Sequence, residues 1–225
     1  MTPPNKALTV KRDLEGLLSS LIECGIAEDQ NFPTLRPDSN NLWEVSFAGA
    51  EHVSIAMRDI DYATLYRELS SKRSYSVKMI DGGLLQLMYL FEGEQLVRHR
   101  LTYYPSPELR PFQEEPEWYW HDELFSDILF RRVFPFPLRF DFDDTAAQDV
   151  VHPMCHLTLG DVKGCRIPVS TPLTPRWFMD FVLRNFYRVD KYDFISKLPK
   201  HRLYFDLTIT ANERRLIHMV VPRNG

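Results

Sequence analysis

The stretch YSVKMIDGGLLQLMYLFEGEQLVRHRLTYY, residues 75–104, decides the fold class because it holds three strand-like runs in succession. Asp81–Gly83 and Glu92–Gly93 separate the runs, and short connections of this composition join antiparallel strands as hairpins. The central run, Leu84–Phe91, is apolar at both alternating sets of positions, as expected of a strand covered on both faces. We therefore predict an antiparallel meander with Leu84–Phe91 at its centre.

Two helix signals flank this meander. Apolar residues from Leu14 to Ile22 recur at three- and four-residue spacing, which predicts an amphipathic N-terminal helix over about 6–24. Thr174 and Pro175 are typical of a helix start, and the aromatic-rich run after them predicts a buried helix near 174–188. The predicted class is therefore α+β, with a mostly antiparallel meander sheet packed by these two helices.

Other segments bear on domain organisation. The prolines and asparagines of Glu28–Asn41 predict a connecting loop, and the alternation of Leu203–Thr210 predicts a further strand. We find no internal repeat and predict a single domain over 1–225. The proline-rich segment 105–116 is the one candidate boundary.

Composition narrows the function classes. Hydrophobic residues make up 44% of the chain and charged residues 26%, which is typical of a globular protein. The net charge of -4 argues against a protein that coats nucleic acid through a dominant basic face. We expect no secretory signal, because the start of the sequence, residues 1–6, has no apolar signal region. We expect no membrane span, because no run approaches about 18 apolar residues. Three cysteines, an odd number, favour a reducing compartment, so the expected location is cytoplasmic.

Standard catalytic motifs are absent from the sequence. The chain has no Walker loop, Rossmann glycine fingerprint, nucleophile elbow, His-Glu-x-x-His or paired Cys-x-x-Cys motif. Their absence argues against several large enzyme classes.

One polar constellation can carry chemistry. In the predicted strand 138–143, alternation puts Arg139, Asp141 and Asp143 on one face. If residues 152–160 pair antiparallel with this strand, Asp143 lies near His152 and Arg139 near His156. The candidate catalytic set is Arg139, Asp141, Asp143, His152 and His156. Such a set can bind a divalent metal, or transfer protons and hold a phosphate.

Strand geometry limits the metal hypothesis. On an extended strand, residues 152 and 156 are about 13 Å apart, so one metal can bind both histidines only if the chain bends at Pro153 or forms a helical turn there. A zinc site made of His152, Cys155, His156 and Cys165 has irregular spacing. The alternative is structural: the strand residues line a solvated face, and the histidines make local hydrogen bonds.

A basic region with interleaved aromatics follows the second predicted helix. Bases beside aromatic residues can hold phosphates and stack nucleobases. The alternative is a solvated rim over aromatic core residues, or a surface that faces the acidic stretch Glu108–Asp127. With Arg166 added, the candidate phosphate or nucleic-acid contacts are Arg166, Arg184, Arg188, Lys191, Lys197, Lys200 and Arg202.

Trp118, Tyr119 and Trp120 are a candidate protein interface. Large aromatic residues near a surface are favoured anchors for protein partners, although they pack equally often in a core. A protein partner is therefore expected, and nucleic acid is the alternative partner.

Several short motifs between residues 138 and 187 carry a family resemblance. They are Arg139-Phe140-Asp141, His152-Pro153-x-x-His156-Leu157, Cys165-Arg166-Ile167-Pro168-Val169, Pro172-Leu173-Thr174-Pro175-x-x-Phe178 and Phe181–Tyr187. Together they resemble the bacterial domain-of-unknown-function 2290 family, closely over about a quarter of the chain. The resemblance implies no established activity. It implies signature positions at Arg139, Asp141, His152, His156, Arg166 and Pro168, and families of this kind often lie in defence-associated or mobile gene neighbourhoods. Thr158 stands where a further histidine would make a His-x-His pair.

Two functions follow as expectations. The first is a non-catalytic binding component of a prokaryotic complex, for example in phage defence or a mobile element, that contacts protein or nucleic acid. The second is a metal-dependent phosphodiesterase or nuclease-like effector. In the second, the acids and histidines of the constellation supply metal or proton chemistry, Arg139 and Arg166 hold phosphate, and the cofactor is a divalent metal.

Overall fold

A central antiparallel sheet organises the chain. The computed structural model describes residues 2–38, 42–50, 60–107, 136–160, 162, 164–187, 189, 193–200 and 202–222. Within these residues, nine strands form one sheet: β1 (Ala27–Gln30), β2 (Thr34–Pro37), β3 (Trp43–Ser46), β4 (Val77–Met79), β5 (Leu84–Glu92), β6 (Gln95–Tyr104), β7 (Leu138–Asp143), β8 (Cys155–Leu159) and β9 (Ile167–Pro168). The helices are α1 (Asn5–Glu23), α2 (Tyr62–Ser71), α3 (Pro175–Phe186) and α4 (Phe194–Lys197), and Glu213–Arg215 form a 3₁₀ turn.

The predicted meander is confirmed and lies at the middle of the sheet. The strand order is β1-β4-β5-β6-β7-β8-β9, with β3 on β5 and β2 on β3. In the first hairpin, Met79 donates its N–H to the carbonyl of Gly83 at 2.7 Å, and Gly82 has a φ of +81° that glycine adopts without strain. β5 is central, because it pairs with β6 on one side and with both β3 and β4 on the other.

One face of the sheet is apolar and is covered by the two predicted helices. On β7, Phe140 points to this face and contacts the rings of Phe178 and Phe181 on α3, at centroid distances of 6.1 and 5.0 Å. Thr174 caps α3 by accepting a hydrogen bond from the N–H of Trp177. The buried stripe of α1 belongs to the same hydrophobic cluster, and α1 also contacts α3. The α+β prediction, with both helices packed on the sheet, is confirmed.

The opposite face of the sheet is divided. At one end, Leu65 and Leu69 of α2 pack with Leu84 of β5 and Tyr104 of β6 in a small apolar cluster. Farther along β6 and across β7 and β8, the side chains on this face are mainly charged or polar. This polar end holds the candidate site.

Two sequence-based expectations of secondary structure are wrong. Residues 28–41 are not simply a loop, because most of β1 and all of β2 lie there, and both are outer strands of the sheet. Prolines at the ends of short outer strands cost no ladder hydrogen bond, so they do not exclude strands here. Leu203–Thr210 forms no strand in the structure. Leu207 is 44% exposed where the alternation predicted a buried side chain, and Thr208 donates its N–H to the carbonyl of Ser170.

The predicted boundary at 105–116 falls mostly outside the described residues, which include only 105–107 of it. The single-domain organisation stays a prediction. No helix among the described residues has the length and apolar character needed to cross a membrane.

Candidate phosphate-binding pocket

A concave pocket of about 560 Å³ lies on the polar end of the sheet, on the side away from α1 and α3. Strands β6, β7 and β8 form its floor, and its walls include residue 152 and residues 160, 162 and 164–166. The polar side chains that line it are Arg98, Arg100, Arg139, Asp141, Asp143, His152, His156, Thr158 and Arg166. All five residues of the predicted catalytic set, and Arg166 from the predicted phosphate contacts, therefore lie around one cavity.

Strand alternation explains why these side chains share a face. On β7, Phe140 and Phe142 are buried, while the residues between them are only partly buried and face the pocket. Antiparallel pairing then sets the neighbours: Arg100 lies opposite Asp141, and Asp141 lies opposite His156. The pocket therefore forms because β6, β7 and β8 each place polar side chains on the same face of the sheet, and the strand pairing brings these side chains next to one another.

The predicted register between β7 and β8 is wrong by two residues. Arg139 lies opposite Thr158 instead of His156, and the N–H of Asp143 donates to the carbonyl of Met154 instead of pairing near His152. The cause is the connection: Gln148 and His152 pair with each other in a tight turn, so β8 begins only at Cys155. Because the shift is even, every side chain stays on its predicted face.

Asp141 is held by two guanidinium groups. Its Oδ1 lies 3.3 Å from Nε of Arg100, and its Oδ2 accepts a hydrogen bond from Nε of Arg139. Oδ2 is also 3.9 Å from Nε2 of His156, which is too far for a hydrogen bond but close enough for charge attraction. Asp141 is only 14% exposed, so its charge fixes the neighbouring arginines and favours a positive charge on His156.

Asp143 has a different set of contacts. Its Oδ2 lies 3.1 Å from Nε of Arg98. Its Oδ1 accepts hydrogen bonds from the N–H and hydroxyl of Thr145 and from the N–H of Ala146. Burial alone would raise the pKa of Asp143, but these hydrogen bonds and the Arg98 charge outweigh it, and the pKa is lowered. Asp143 thus uses Oδ1 to form the turn after β7 and Oδ2 to pair with Arg98 of β6.

The two histidines are close together because the chain bends between them. Their ring centroids are 5.0 Å apart in an edge-to-face contact, since His152 precedes the turn at Pro153 and only His156 lies on β8. Nδ1 of His156 is 2.8 Å from the carbonyl oxygen of Pro153. A carbonyl only accepts, so Nδ1 carries the proton, and the lone pair of the neutral ring is on Nε2. Burial lowers the pKa of His156.

The arrangement does not support the proposed zinc ligands as a set. Cys155 points to the apolar face, where its thiol donates to the carbonyl of Thr171 at 3.4 Å. Its neighbour His156 points to the pocket, so the sheet separates these two side chains. Among the described residues, no three His, Cys, Asp or Glu side chains come together in a metal-binding group.

The pocket has an excess of positive charge. Among its described residues, Arg98, Arg100, Arg139 and Arg166 stand against two carboxylates. Arg166 is exposed and makes no ion pair with any described residue. The arginines of β6 were missed by the sequence analysis. The available signal was their alternation with the core-facing His99 and Leu101, but only the strand pairing shows that they face Asp141 and Asp143.

The other predicted basic residues that the structure describes do not join this pocket. Arg184 and Lys200 line a separate groove of about 710 Å³ formed by α3, α4 and the segment after α4, where Arg184 pairs with Asp180 at 2.7 Å. Since α3 packs on the apolar face, the sheet lies between this groove and the arginine pocket. Lys197 and Arg202 lie in or near α4 and do not line the pocket. Arg188, Lys191 and the predicted interface Trp118, Tyr119 and Trp120 lie outside the described residues.

Comparison with known proteins gives a family but no activity. The model of the uncharacterized conserved protein family DUF2290 matches residues 26–221, and the chain belongs to this family. The match confirms the resemblance and includes the whole pocket. No curated protein and no solved structure matches the chain.

Proposed function

We propose that this protein is a nucleic-acid-binding component that holds the phosphate groups of a single strand in the arginine pocket. The observation that carries the proposal is the placement of four arginines on one concave surface with only two carboxylates among the described residues. Guanidinium groups bind phosphate oxygens in a planar, bidentate geometry, which makes arginine the favoured residue for phosphate recognition.

The size and shape of the pocket support a ligand of nucleotide dimensions. Its volume of about 560 Å³ lies within the usual range for small-molecule and cofactor sites. The net charge of the chain is -4, so attraction for a polyanion is local to the pocket and does not extend over the whole surface. A short stretch or an end of a strand therefore fits better than a long duplex.

The arginines are positioned before any ligand binds. Asp141 fixes Arg100 and Arg139, and Asp143 fixes Arg98. Side chains that are already ordered lose less conformational entropy on binding, which favours affinity. Arg166 has no such partner among the described residues, so its charge is the most available to a ligand.

Fluorescence anisotropy with a labelled single-stranded RNA oligonucleotide and its DNA counterpart tests the proposal. We expect Arg166→Glu to weaken binding by about tenfold or more at low salt, because a charge-assisted hydrogen bond is replaced by repulsion. Arg12→Glu, on the exposed side of α1, is the matched control and should bind as the wild type does. Equal affinity of Arg166→Glu and the wild type, or no binding by either, would contradict the proposal.

A further inference from the structure

The histidine pair gives the pocket groups that phosphate binding alone does not need. His156 is oriented by the Pro153 carbonyl so that its unprotonated Nε2 is on the pocket side, beside Asp141. Its pKa is lowered by burial, so the ring is neutral at neutral pH. A fixed, neutral imidazole with an available lone pair is suited to act as a general base.

His152 complements this base. Its ring contacts the ring of His156 and is half-buried at the pocket wall, and its imidazole nitrogens make no hydrogen bond to any described residue. Since no hydrogen bond to a described residue fixes this ring, it can turn toward a bound ligand while it stays beside His156. A histidine that shares the pocket and can carry a proton is suited to act as the general acid.

We propose that the pocket cleaves RNA by metal-independent transesterification, with His156 as the base and His152 as the acid. This inference rests on the proposed function. Nε2 of His156 removes the proton from a ribose 2′-hydroxyl, and the 2′-oxygen forms a bond to phosphorus. The bond between phosphorus and the 5′-oxygen breaks, and protonated His152 gives its proton to that oxygen. The products are a 2′,3′-cyclic phosphate and a 5′-hydroxyl end.

The surrounding charges fit this reaction. Arg139 and Arg166 line the same cavity and can stabilise the extra negative charge that develops on the phosphoryl oxygens. Asp141, 3.9 Å from Nε2 of His156, stabilises the imidazolium that forms when His156 takes the proton. RNA is the substrate class because its 2′-hydroxyl is an internal nucleophile, so the step needs only a base, an acid and cationic groups.

The test follows cleavage of a single-stranded RNA of mixed sequence in the presence of EDTA. We expect cyclic-phosphate products from the wild-type protein. His156→Asn keeps an amide donor for the Pro153 carbonyl but lacks the base, and should lose about 100-fold or more in rate, as should His152→Asn. His218→Asn is the matched control: His218 does not line the pocket, so this variant should cleave RNA at the rate of the wild type.

The pH profile separates a chemical role from a structural one. The charges that act on His156 are Asp141, which raises its pKa, and Arg166, which lowers it. The other described titratable or charged side chains around the cavity are Arg98, Arg100, Arg139, Asp143 and Cys165. We expect a bell-shaped profile of kcat/KM for the wild type, with an acid limb below pH 6.5 that is absent from the residual activity of His156→Asn. A profile of the same shape in this variant would contradict the role of His156.

The same oligonucleotide with 2′-O-methyl groups distinguishes the two proposals. We expect it to bind but to resist cleavage. Binding of RNA without cleavage, or cleavage that EDTA abolishes, would overturn the catalytic inference and leave the binding proposal standing. Absence of both binding and cleavage would overturn both.

Discussion

The two faces of strand β7 differ in what fixes them. Phe140 and Phe142 are almost fully buried on one face, while Arg139 and Asp141 on the other take part in an ion-pair network. Hydrophobic packing is not directional, so the apolar face needs only side chains of the right size. Charged groups need partners at defined distances, so the polar face depends on the register of β6 and β8. The same strand thus contributes to a core that tolerates changes of apolar side chain and to a site that requires defined distances between charges.

The largest effect is expected from the apolar face. Phe140→Ala should reduce the free energy of unfolding by about 3–5 kcal/mol, because it removes a ring that contacts two aromatic residues of α3 and leaves a cavity. Urea denaturation measures the change. Arg166→Ala, on the exposed rim of the pocket, should change the free energy of unfolding by no more than about 0.5 kcal/mol. Similar losses of stability in both variants would contradict the view that the apolar face, and not the pocket rim, stabilises the fold.

A second prediction concerns a titratable group on the apolar face. Burial lowers the pKa of His99 to about 4, and its Nε2 accepts a hydrogen bond from the N–H of Leu173. Below pH 6.5 the unfolded chain binds a proton that the folded protein binds only near pH 4. Stability should therefore fall by up to about 3 kcal/mol as the pH falls through this window.

The variant His99→Gln sharpens this prediction. It should lose less stability than the wild type between pH 6.5 and about 4, as measured by urea denaturation at each pH. His218→Gln, outside the core, should keep the slope of the wild type. An unchanged slope in His99→Gln would show that His99 is not the group that takes up the proton.

The smallest effect is expected from the basic residues near α4. Lys197→Glu combined with Lys200→Glu should change single-strand affinity by no more than about twofold in moderate salt, because these charges and the pocket lie on opposite sides of the sheet. Anisotropy measures this beside Arg166→Glu. A loss of affinity as large as that of Arg166→Glu would indicate that the ligand binds near α4 and would contradict this prediction.

The fold was largely predictable because its signals are local. Hairpin turns, helix caps and alternation are read within short stretches of sequence, and they gave the meander, the two packing helices and the polar face of β7. The short strands β1 and β2 were missed because they are held by pairing with distant strands and not by their own pattern. For segment 203–210 the opposite happened: a strand was predicted from the alternation, but the segment pairs with no strand of the sheet among the described residues.

The site was predictable only in part for a related reason. Its residue types and common face follow from alternation, but the neighbours of each side chain follow from register. The bend at Pro153 brought His152 and His156 together, where an extended strand would have kept them apart. Arg98 and Arg100 come from a strand about 40 positions earlier, and nothing in their local sequence connects them to Asp141 and Asp143.

The floor of the pocket is made of three neighbouring strands, and this has a practical consequence. Any small molecule that touches β6, β7 and β8 together binds only the folded chain, so it must raise the melting temperature. At a concentration of about 100 times its Kd, the gain is about 2.7 kcal/mol. A thermal-shift screen of nucleotides can therefore identify what the cavity accepts without any knowledge of the reaction.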